Sequence, residues 1–328
     1  MTNSPLGRTL VIANPAAGCG EGERARVFAE RFLASFSSAT EGYEILSTEG
    51  PGDARGLARM AGEAGFSSVI ALGGDGVIHE VVNGLMALRQ SIRPALGIIP
   101  MGSGNDYART IGMAKNHAED ALAQLVQGQI VNFEVGQVND VYFMQTLSFG
   151  LDAAVAIDTI RRREKNTSLR GESLYVTSAL KLFPHARRGW PCRAHIDGGH
   201  ELILPTIIFT VQIGPTYGGG FQVCPAANPC DGVFDLCYNI SRPALPHLAA
   251  LLGMVRAGTH TRSRVLRLRQ AKTIELAFET PVPAQVDGEE LEGQHFDIQV
   301  IPQALRVICP TPATRTNRVT WDAPHAKE

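Results

Sequence analysis

The chain has 328 residues, more than one ordinary core requires and enough for two domains. Hydrophobic residues make up 44% and charged residues 19%, a globular composition. The 30 Lys+Arg and 32 Asp+Glu leave a net charge of −2, which recommends no nucleic-acid partner. The opening MTNSPLGRTLVIANP reads as too polar for a signal peptide, and the longest apolar run, Leu202 to Ile213, holds Pro205 and Gln212 and is too short to span a bilayer. A cytoplasmic protein is therefore expected, and any contact with a membrane would be peripheral. The six cysteines, at 19, 192, 224, 230, 237 and 309, form no CxxC pair and have no histidine at zinc spacing, so they read as mostly buried thiols.

Along the first third, short apolar runs alternate with helical patterns. Thr9 to Ala13 predicts a buried strand, and Phe28, Phe32 and Phe36 mark one face of the helix after it. Tyr43 to Leu46 predicts a strand; Leu57, Ala58 and Ala61 a helix; Val69 to Leu72 a strand; Ile78, Val81, Val82 and Leu85 a helix; Pro94 to Ile99 a strand. Strands apolar on both faces and alternating with helices predict a parallel sheet covered by helices. After about residue 131 the pattern changes. Val131 to Val138 and Tyr142 to Phe149 predict a hairpin around Asn139-Asp140, and two helical stretches follow near Ala153 to Arg163 and Ser173 to Phe183. From Arg193 onward the expectation is mostly strands: Leu202 to Ile213, Phe234 to Ile240, Val265 to Leu268, Thr273 to Phe278 and Phe296 to Ile301, interrupted by a helix over Ala244 to Val255. The expected architecture is an α/β domain with a parallel sheet over 1–131, then a β-rich, sandwich-like domain over 132–304. The polar tail, 305–328, is either loosely held or returns to the first domain.

Three glycine loops sit at strand ends. Asn14-Pro15-Ala16-Ala17-Gly18 follows the first strand, Gly73-Gly74-Asp75-Gly76 the third, and Gly102-Ser103-Gly104-Asn105-Asp106 the fourth. Backbone N–H groups at such strand-to-helix junctions point at anions, although each loop alone is equally well a plain turn. An acid inside a phosphate turn would repel its ligand unless a metal ion or a hydroxyl proton intervened, which favours a catalytic or metal-linked Asp75. Neither a Walker A sequence nor GxGxxG with a ribose-binding acid is present.

In chain order, Gly73 to Leu85 (GGDGVIHEVVNGL) resembles the GGDGT-x-NE-VVNGL signature of the diacylglycerol kinase catalytic-domain family, related to sphingosine kinases. Ile99 to Arg109 (IPMGSGNDYAR) is similar to its IPLGTGNDFAR block, and Asn14 to Gly18 to its NPxSG loop. Phe149 to Ala153, Gly218 to Asp235 and Val286 to Glu289 match its G-x-DA, GGG…P-A…DDG-x-x-D and VDGE elements. The resemblance runs from residue 14 to 289. It implies a nucleotide domain and a β-rich lipid domain with the active site in the cleft between them, and transfer of the γ-phosphoryl of ATP to a lipid hydroxyl. It further implies nucleotide contacts from Asn14, Pro15, Ala16, Ala17, Gly18, Thr48, Gly74, Asp75, Gly76, Val77, Ile78, His79, Glu80, Ser103 and Asn105. Asp287 would be the general base, assisted by Asp75 and Glu289 through Mg²⁺ or hydrogen bonds. Asn228, Asp231 and the Val233 carbonyl would hold a structural Mg²⁺. By residue type alone, Asp287-Gly288 and Asp231-Gly232 are equally plain turns. The implied partner is a membrane lipid such as diacylglycerol or a sphingoid base, and a homodimer is compatible with it.

The chain departs from the pattern at Val77, where a threonine is usual, and at His79, where an asparagine is. It also lacks the lysine often found after the first loop, for which Arg24 or Arg26 would have to substitute. These departures keep two rivals open: a lipid- or nucleotide-binding protein of weak activity on the same fold, and an NAD-kinase-like enzyme, which shares the GGDG turn. The run Arg161-Arg162-Arg163-Glu164-Lys165, with Arg187-Arg188, is a candidate for anionic headgroups and equally a solvated helix face.

Overall fold

The computed structural model describes residues 4–35, 40–164, 176–182 and 188–321. The chain divides into two compact units, Met1–Val135 with Pro302–Glu328, and Gly136–Ile301.

Unit 1 begins with β1 (Arg8–Ala13), α1 (Ala17–Ser35), β2 (Gly42–Ser47), α2 (Asp53–Glu63), β3 (Ser68–Gly73) and α3 (Asp75–Met86). It continues with β4 (Ala95–Pro100), α4 (Asp106–Ile111), α5 (Ala118–Val126) and the start of β5 (Gln129–Val138). Strands pair in parallel in the order β2-β1-β3-β4. Both central strands, β3 and β4, are buried at every residue, as continuous apolar runs in a parallel sheet must be. The helix after β1 starts later than its range suggests, because Gly18, Cys19 and Gly20 have left-handed backbone. Phe28 and Phe32 of α1 lie against each other, ring centroids 6.2 Å apart, while Phe36 is outside the described residues.

The last strand, β16 (His295–Cys309), is longer than predicted, and its end joins unit 1 beside β4, with Val307 opposite Leu96. The tail then packs on α4. Thr316 Oγ1 donates to the carbonyls of Gly112 (3.2 Å) and Met113 (3.0 Å), Asn317 Nδ2 to that of Arg109 (2.9 Å), and Trp321 Nε1 to that of Thr110 (3.1 Å).

Unit 2 is antiparallel. It holds β6 (Val141–Phe143), β7 (Thr146–Gly150), α6 (Leu151–Glu164), helical residues 176–182 (α7), β8 (Trp190–Ile196), β9 (Leu202–Thr206), β10 (Ile208–Gln212) and β11 (Phe234–Asn239). Then follow α8 (Leu245–Arg256), β12 (Leu266–Ala271), β13 (Thr273–Phe278), β14 (Ala284–Val286), β15 (Glu289–Leu291) and the first half of β16. One sheet has the order β12-β11-β10-β7-β14-β15; the other contains β16-β13-β8-β9. Phenylalanines from both interlock in the sandwich core: Phe149 of one sheet lies 4.7 Å from Phe296 and 5.6 Å from Phe278 of the other, centroid to centroid. The far face of the first sheet is covered by α6 and α8, forming a second apolar layer of Leu151, Val155, Cys237, Leu248 and Leu251.

Two predicted strands are each broken in two, and each break is made by a side chain. Tyr142 to Phe149 is interrupted at Met144-Gln145, where Met144 N, Gln145 N and Thr146 N donate to the Asp287 carboxylate (2.9, 3.0 and 2.9 Å). Only β6 completes the hairpin with β5; β7 pairs instead with β10 and β14. Leu202 to Ile213 is interrupted at Ile207, where Asn239 Oδ1 accepts from Ile207 N (2.7 Å) and Ile208 N (2.9 Å), so that β9 joins one sheet and β10 the other. Replacing Asn239 by Ala strands both buried N–H groups. The variant should lose roughly 2–6 kcal/mol, at about 1–3 for each unsatisfied group, measured as a lower midpoint in urea unfolding; a loss within error would remove Asn239 from this role.

Candidate functional site

In unit 1 the three strand-end loops converge. A Cβ added to Gly102 would sit 2.7 Å from Gly74 Cα, and one added to Gly18 3.0 Å from the Met101 carbonyl. Backbone therefore touches backbone, and Met101 N donates to Gly73 O (2.7 Å). Left-handed Gly18 to Gly20 and the N-terminus of α3 both present N–H groups, which is the chemistry of an anion cradle.

Asp75 lies inside this junction. Its Oδ1 is buried without a hydrogen-bond partner among the described residues, and a Cβ on Gly104 would lie 2.7 Å from its Oδ2. Burial pushes its pKa up to about 7; the neighbouring Asp106 carboxylate adds to this, and the N–H groups of Asn105, Tyr107 and Asp106 oppose it. Asp106, buried, forms an ion pair with Arg109 (3.2 Å), which also donates to the Gly104 carbonyl and so braces the loop.

Several residues implied by the resemblance are committed elsewhere. Glu80 accepts from Gly52 N (2.8 Å) and Ala54 N (3.1 Å), capping α2 with both oxygens. Asn105, itself left-handed, spends its amide on Gly102 N (2.9 Å), Gly102 O (2.7 Å) and Asn116 Oδ1 (3.1 Å). Ile78 is in the core, and His79 is buried one turn from Asn83, whose Nδ2 lies 3.3 Å from its Nε2. Val77 lies where a Cβ on Gly73 would meet it at 2.8 Å. Asn14 Oδ1 accepts from Ala16 N (3.0 Å), Thr48 N donates to Ala13 O (2.8 Å), and Pro15, Ala17, Gly76 and Ser103 lie in the same set of turns, Ser103 exposed. Arg24 pairs with Glu21, and Arg26 with Glu23 and Glu30, so neither of the cations expected to replace the loop lysine is held ready for that role.

In unit 2, Asp287-Gly288 is the two-residue turn between β14 and β15, with φ of 49° and 100°. The Asp287 carboxylate folds back to accept the three N–H groups at the strand break, and its own N–H donates to Thr146 O (2.8 Å). Glu289 follows, exposed at the start of β15. In Asp287→Asn the amide nitrogen would face Met144 N–H, so the variant should lose about 1–3 kcal/mol. An unchanged thermal transition would show that the carboxylate does not hold the break.

The turn at 228–233 gathers oxygens. Asn228 Oδ1 accepts from Cys230 N (3.1 Å), and Asp231 Oδ1 from Val233 N (3.2 Å). Asp235, which residue-type reasoning left out of the ligand set, has a buried Oδ2 without a partner among the described residues. Its pKa is raised to about 6 by burial and then by Asp231. Two carboxylates, an amide oxygen and the Val233 carbonyl are a hard-oxygen donor set that suits Mg²⁺.

The sequence reading also left Asp152 without a role. It opens α6 and borders an apolar cavity lined by Leu151, Val155, Ile207, Phe221, Leu248 and Leu251, among others. Tyr217 Oη donates to its Oδ2 (3.3 Å), whereas Oδ1 is buried without a partner among the described residues. Burial raises its pKa to about 7, opposed by hydrogen bonds from Ser148, Tyr217 and backbone N–H groups. The G-x-DA element marks the position without giving it a role, because the cavity is assembled from segments between residues 151 and 266.

The strand-end loops of the α/β unit offer N–H groups suited to phosphate, as a kinase requires. Residues 8–138 match the family described as "Diacylglycerol kinase catalytic domain", and residues 145–309 the "YegS C-terminal NAD kinase beta sandwich-like domain". A Chromohalobacter salexigens protein named "Probable lipid kinase YegS-like" is 31% identical over 79% of this chain and 81% of the relative. The "Diacylglycerol kinase" of Bacillus subtilis is 29% identical over 86% of this chain and 89% of the relative. A crystal structure of a diacylglycerol kinase from Bacillus anthracis superposes with a TM-score of 0.76 at 24% identity, covering 95% of this chain and 99% of that one, a likeness of fold. The chain belongs to the diacylglycerol kinase-like, YegS-type lipid kinase family. Among the described residues no helix is long and apolar enough to cross a membrane.

An acid whose folded pKa is raised favours folding most below its unfolded pKa, and that contribution is lost as pH rises through the folded value. For Asp152 the window is from about 4 to about 7. Asp152→Asn should therefore match the native thermal midpoint near pH 4 and exceed it near pH 8. Equal midpoints at both pH values would show that the carboxyl is not desolvated.

Proposed function

We propose that this chain is an ATP-dependent lipid kinase that transfers the γ-phosphoryl group to the hydroxyl of a lipid bearing a long apolar chain. The observation that carries this reading is the cavity of unit 2. Its walls are almost wholly apolar, and Asp152 with Tyr217 supplies a polar corner where a lipid's hydroxyl-bearing end could be recognised. A nicotinamide dinucleotide, charged and polar throughout, finds no complement in such a cavity, which weighs against the NAD-kinase-like alternative.

In this reading the loops around Gly18, Gly74 and Gly102 hold the phosphates of ATP by backbone N–H groups, so the substitution of Val77 for threonine removes only an auxiliary hydroxyl. Asp75, with an Oδ1 that has no partner among the described residues, is the acid of these loops and assists the reaction. With a pKa near 7 it is neither too weak a base nor permanently protonated at neutral pH. Asp287 is the general base that the resemblance implies, its carboxylate oriented by three backbone N–H groups. Asn228, Asp231, Asp235 and the Val233 carbonyl would hold Mg²⁺, which supplies positive charge to offset the two acids.

The test is turnover of labelled ATP against diacylglycerol, monoacylglycerol, sphingosine, ceramide and NAD. Label should appear in a lipid and not in NAD. Asp75→Asn should reduce kcat by about 10²–10⁴ with the fold intact. Formation of NADP, or an Asp75→Asn variant of undiminished rate, would overturn the assignment.

A further inference from the structure

Helix α4 has six residues, a rod about 9 Å long at 1.5 Å per residue. A helix so short does not hold its own shape, so its position is set from its two ends. At the N-terminal end it grows directly out of the Gly102–Asn105 loop. There the N–H groups of Asn105, Asp106 and Tyr107 donate to the Asp75 carboxylate. Asp106 pairs with Arg109 (3.2 Å), and Arg109 Nη1 donates to the Gly104 carbonyl.

The C-terminal end is held by the tail that follows β16. A helix leaves its last carbonyls unpaired, and here donors more than 200 residues further along the chain take them up. Thr316 Oγ1 donates to Gly112 O (3.2 Å) and Met113 O (3.0 Å), and Thr316 N to Gly112 O (3.1 Å). Asn317 Nδ2 donates to Arg109 O (2.9 Å) and Trp321 Nε1 to Thr110 O (3.1 Å). The contact is close: a Cβ on left-handed Gly112 would lie 3.2 Å from both Arg315 Cγ and Val319 Cγ1. The buried Trp321 ring lies 5.9 Å from that of Phe133, which lies 6.4 Å from that of Tyr107 in α4. Gln124 adds a tie, accepting from Ala114 N (2.8 Å) just after α4 and donating to the Thr314 carbonyl. A segment that only covered apolar surface would dock through apolar side chains. This one commits a hydroxyl, an amide and an indole N–H to one end of one helix.

We propose that Thr316, Asn317 and Trp321 are positioning residues of the phosphate site, fixing through α4 both the Gly102–Asn105 turn and the N–H groups that hold Asp75. The rod is short and hydrogen-bonded at both ends, so a shift at its C-terminus is carried to its N-terminus. There it displaces the loop whose backbone meets Gly74. The inference rests on the lipid-kinase reading for its effect on ATP, but not for the link from tail to loop.

The full-length protein is compared with the variant T316V/N317A, which removes the donors and little bulk. By hydrogen exchange and mass spectrometry, the amides of 102–107 should exchange faster in the variant, and those of β1 and β3 should not. KM for ATP should rise about tenfold, within the roughly hundredfold that a 1 Å misplacement can cost. KM for the lipid and turnover at saturating ATP should stay close to the native values. Thr316→Ser, which keeps the hydroxyl, should match the native protein in both measurements. If T316V/N317A does not fold, Trp321→Phe takes its place, keeping a ring against Phe133 and losing the N–H given to Thr110. The positioning role is overturned if, in an active enzyme, a folded variant leaves either exchange at 102–107 or KM for ATP unchanged. It is equally overturned if both KM values worsen together while exchange quickens throughout unit 1, as a purely structural tail would require. If the native protein phosphorylates no lipid, yet exchange at 102–107 still responds to T316V/N317A, the kinase reading falls and the link from tail to loop stands.

Discussion

A buried backbone N–H must find an acceptor, and much of this structure follows from how that demand is met where regular pairing stops. In unit 2, two stretches of chain pass from one sheet of the sandwich to the other. At each passage a side chain receives the N–H groups that neither sheet can take: the Asp287 carboxylate at 144–146, and the Asn239 amide at 207–208. At an exposed site Asp197 likewise accepts from Lys272 N and Thr273 N, where the chain passes from β12 into β13. Without these acceptors the strands would have either to continue in one sheet or to bury unpaired donors. The two-sheet core around Phe149, Phe278 and Phe296 depends on them.

The same demand separates residues that serve the fold from residues left over for chemistry. Glu80 and Asn105 sit within the phosphate-type loops, yet their polar atoms are consumed by the N-terminus of α2 and by the Gly102 turn. Asp75, Asp152 and Asp235 are the reverse case. Each has a carboxyl oxygen out of water with no partner among the described residues. Burying such a group is expensive, and native proteins retain few. Two of the three line surfaces suited to a ligand, an anion cradle and an apolar cavity, and the third adjoins a hard-oxygen cluster. Raised pKa values at these positions are the electrostatic expression of the same unmet need.

The six-stranded sheet of unit 2 also explains where the cavity lies. One face packs into the sandwich core, and the other is covered by α6 and α8. Strands β10 and β11 are thus buried on both faces and lose the polar alternation expected of an antiparallel sheet with one wet side. The helical cover packs less tightly than the core, and the space beneath it is the acceptor cavity of the proposed reaction.

The amino-acid sequence by itself determined the local elements that obey a single period. The apolar runs at 69–72 and 95–99 could only be strands covered on both sides, and the helical spacing of Ile78, Val81, Val82 and Leu85 could only be a helix on that sheet. It also located the glycine loops, because close backbone approach leaves room for no other residue, as the contact of Gly74 with Gly102 shows. Period alone could not reveal the breaks at 144 and 207. Their cause is Asp287 and Asn239, tens of residues away in the chain. Nor could it distinguish Asn105, which braces a loop, from Asp75, one oxygen of which is left without a partner among the described residues, since the two residue types are equally at home in a turn. Asp152 drew no role, because a cavity belongs to no segment. Which polar atoms are satisfied is a property of the folded packing, and only the tertiary structure decides it.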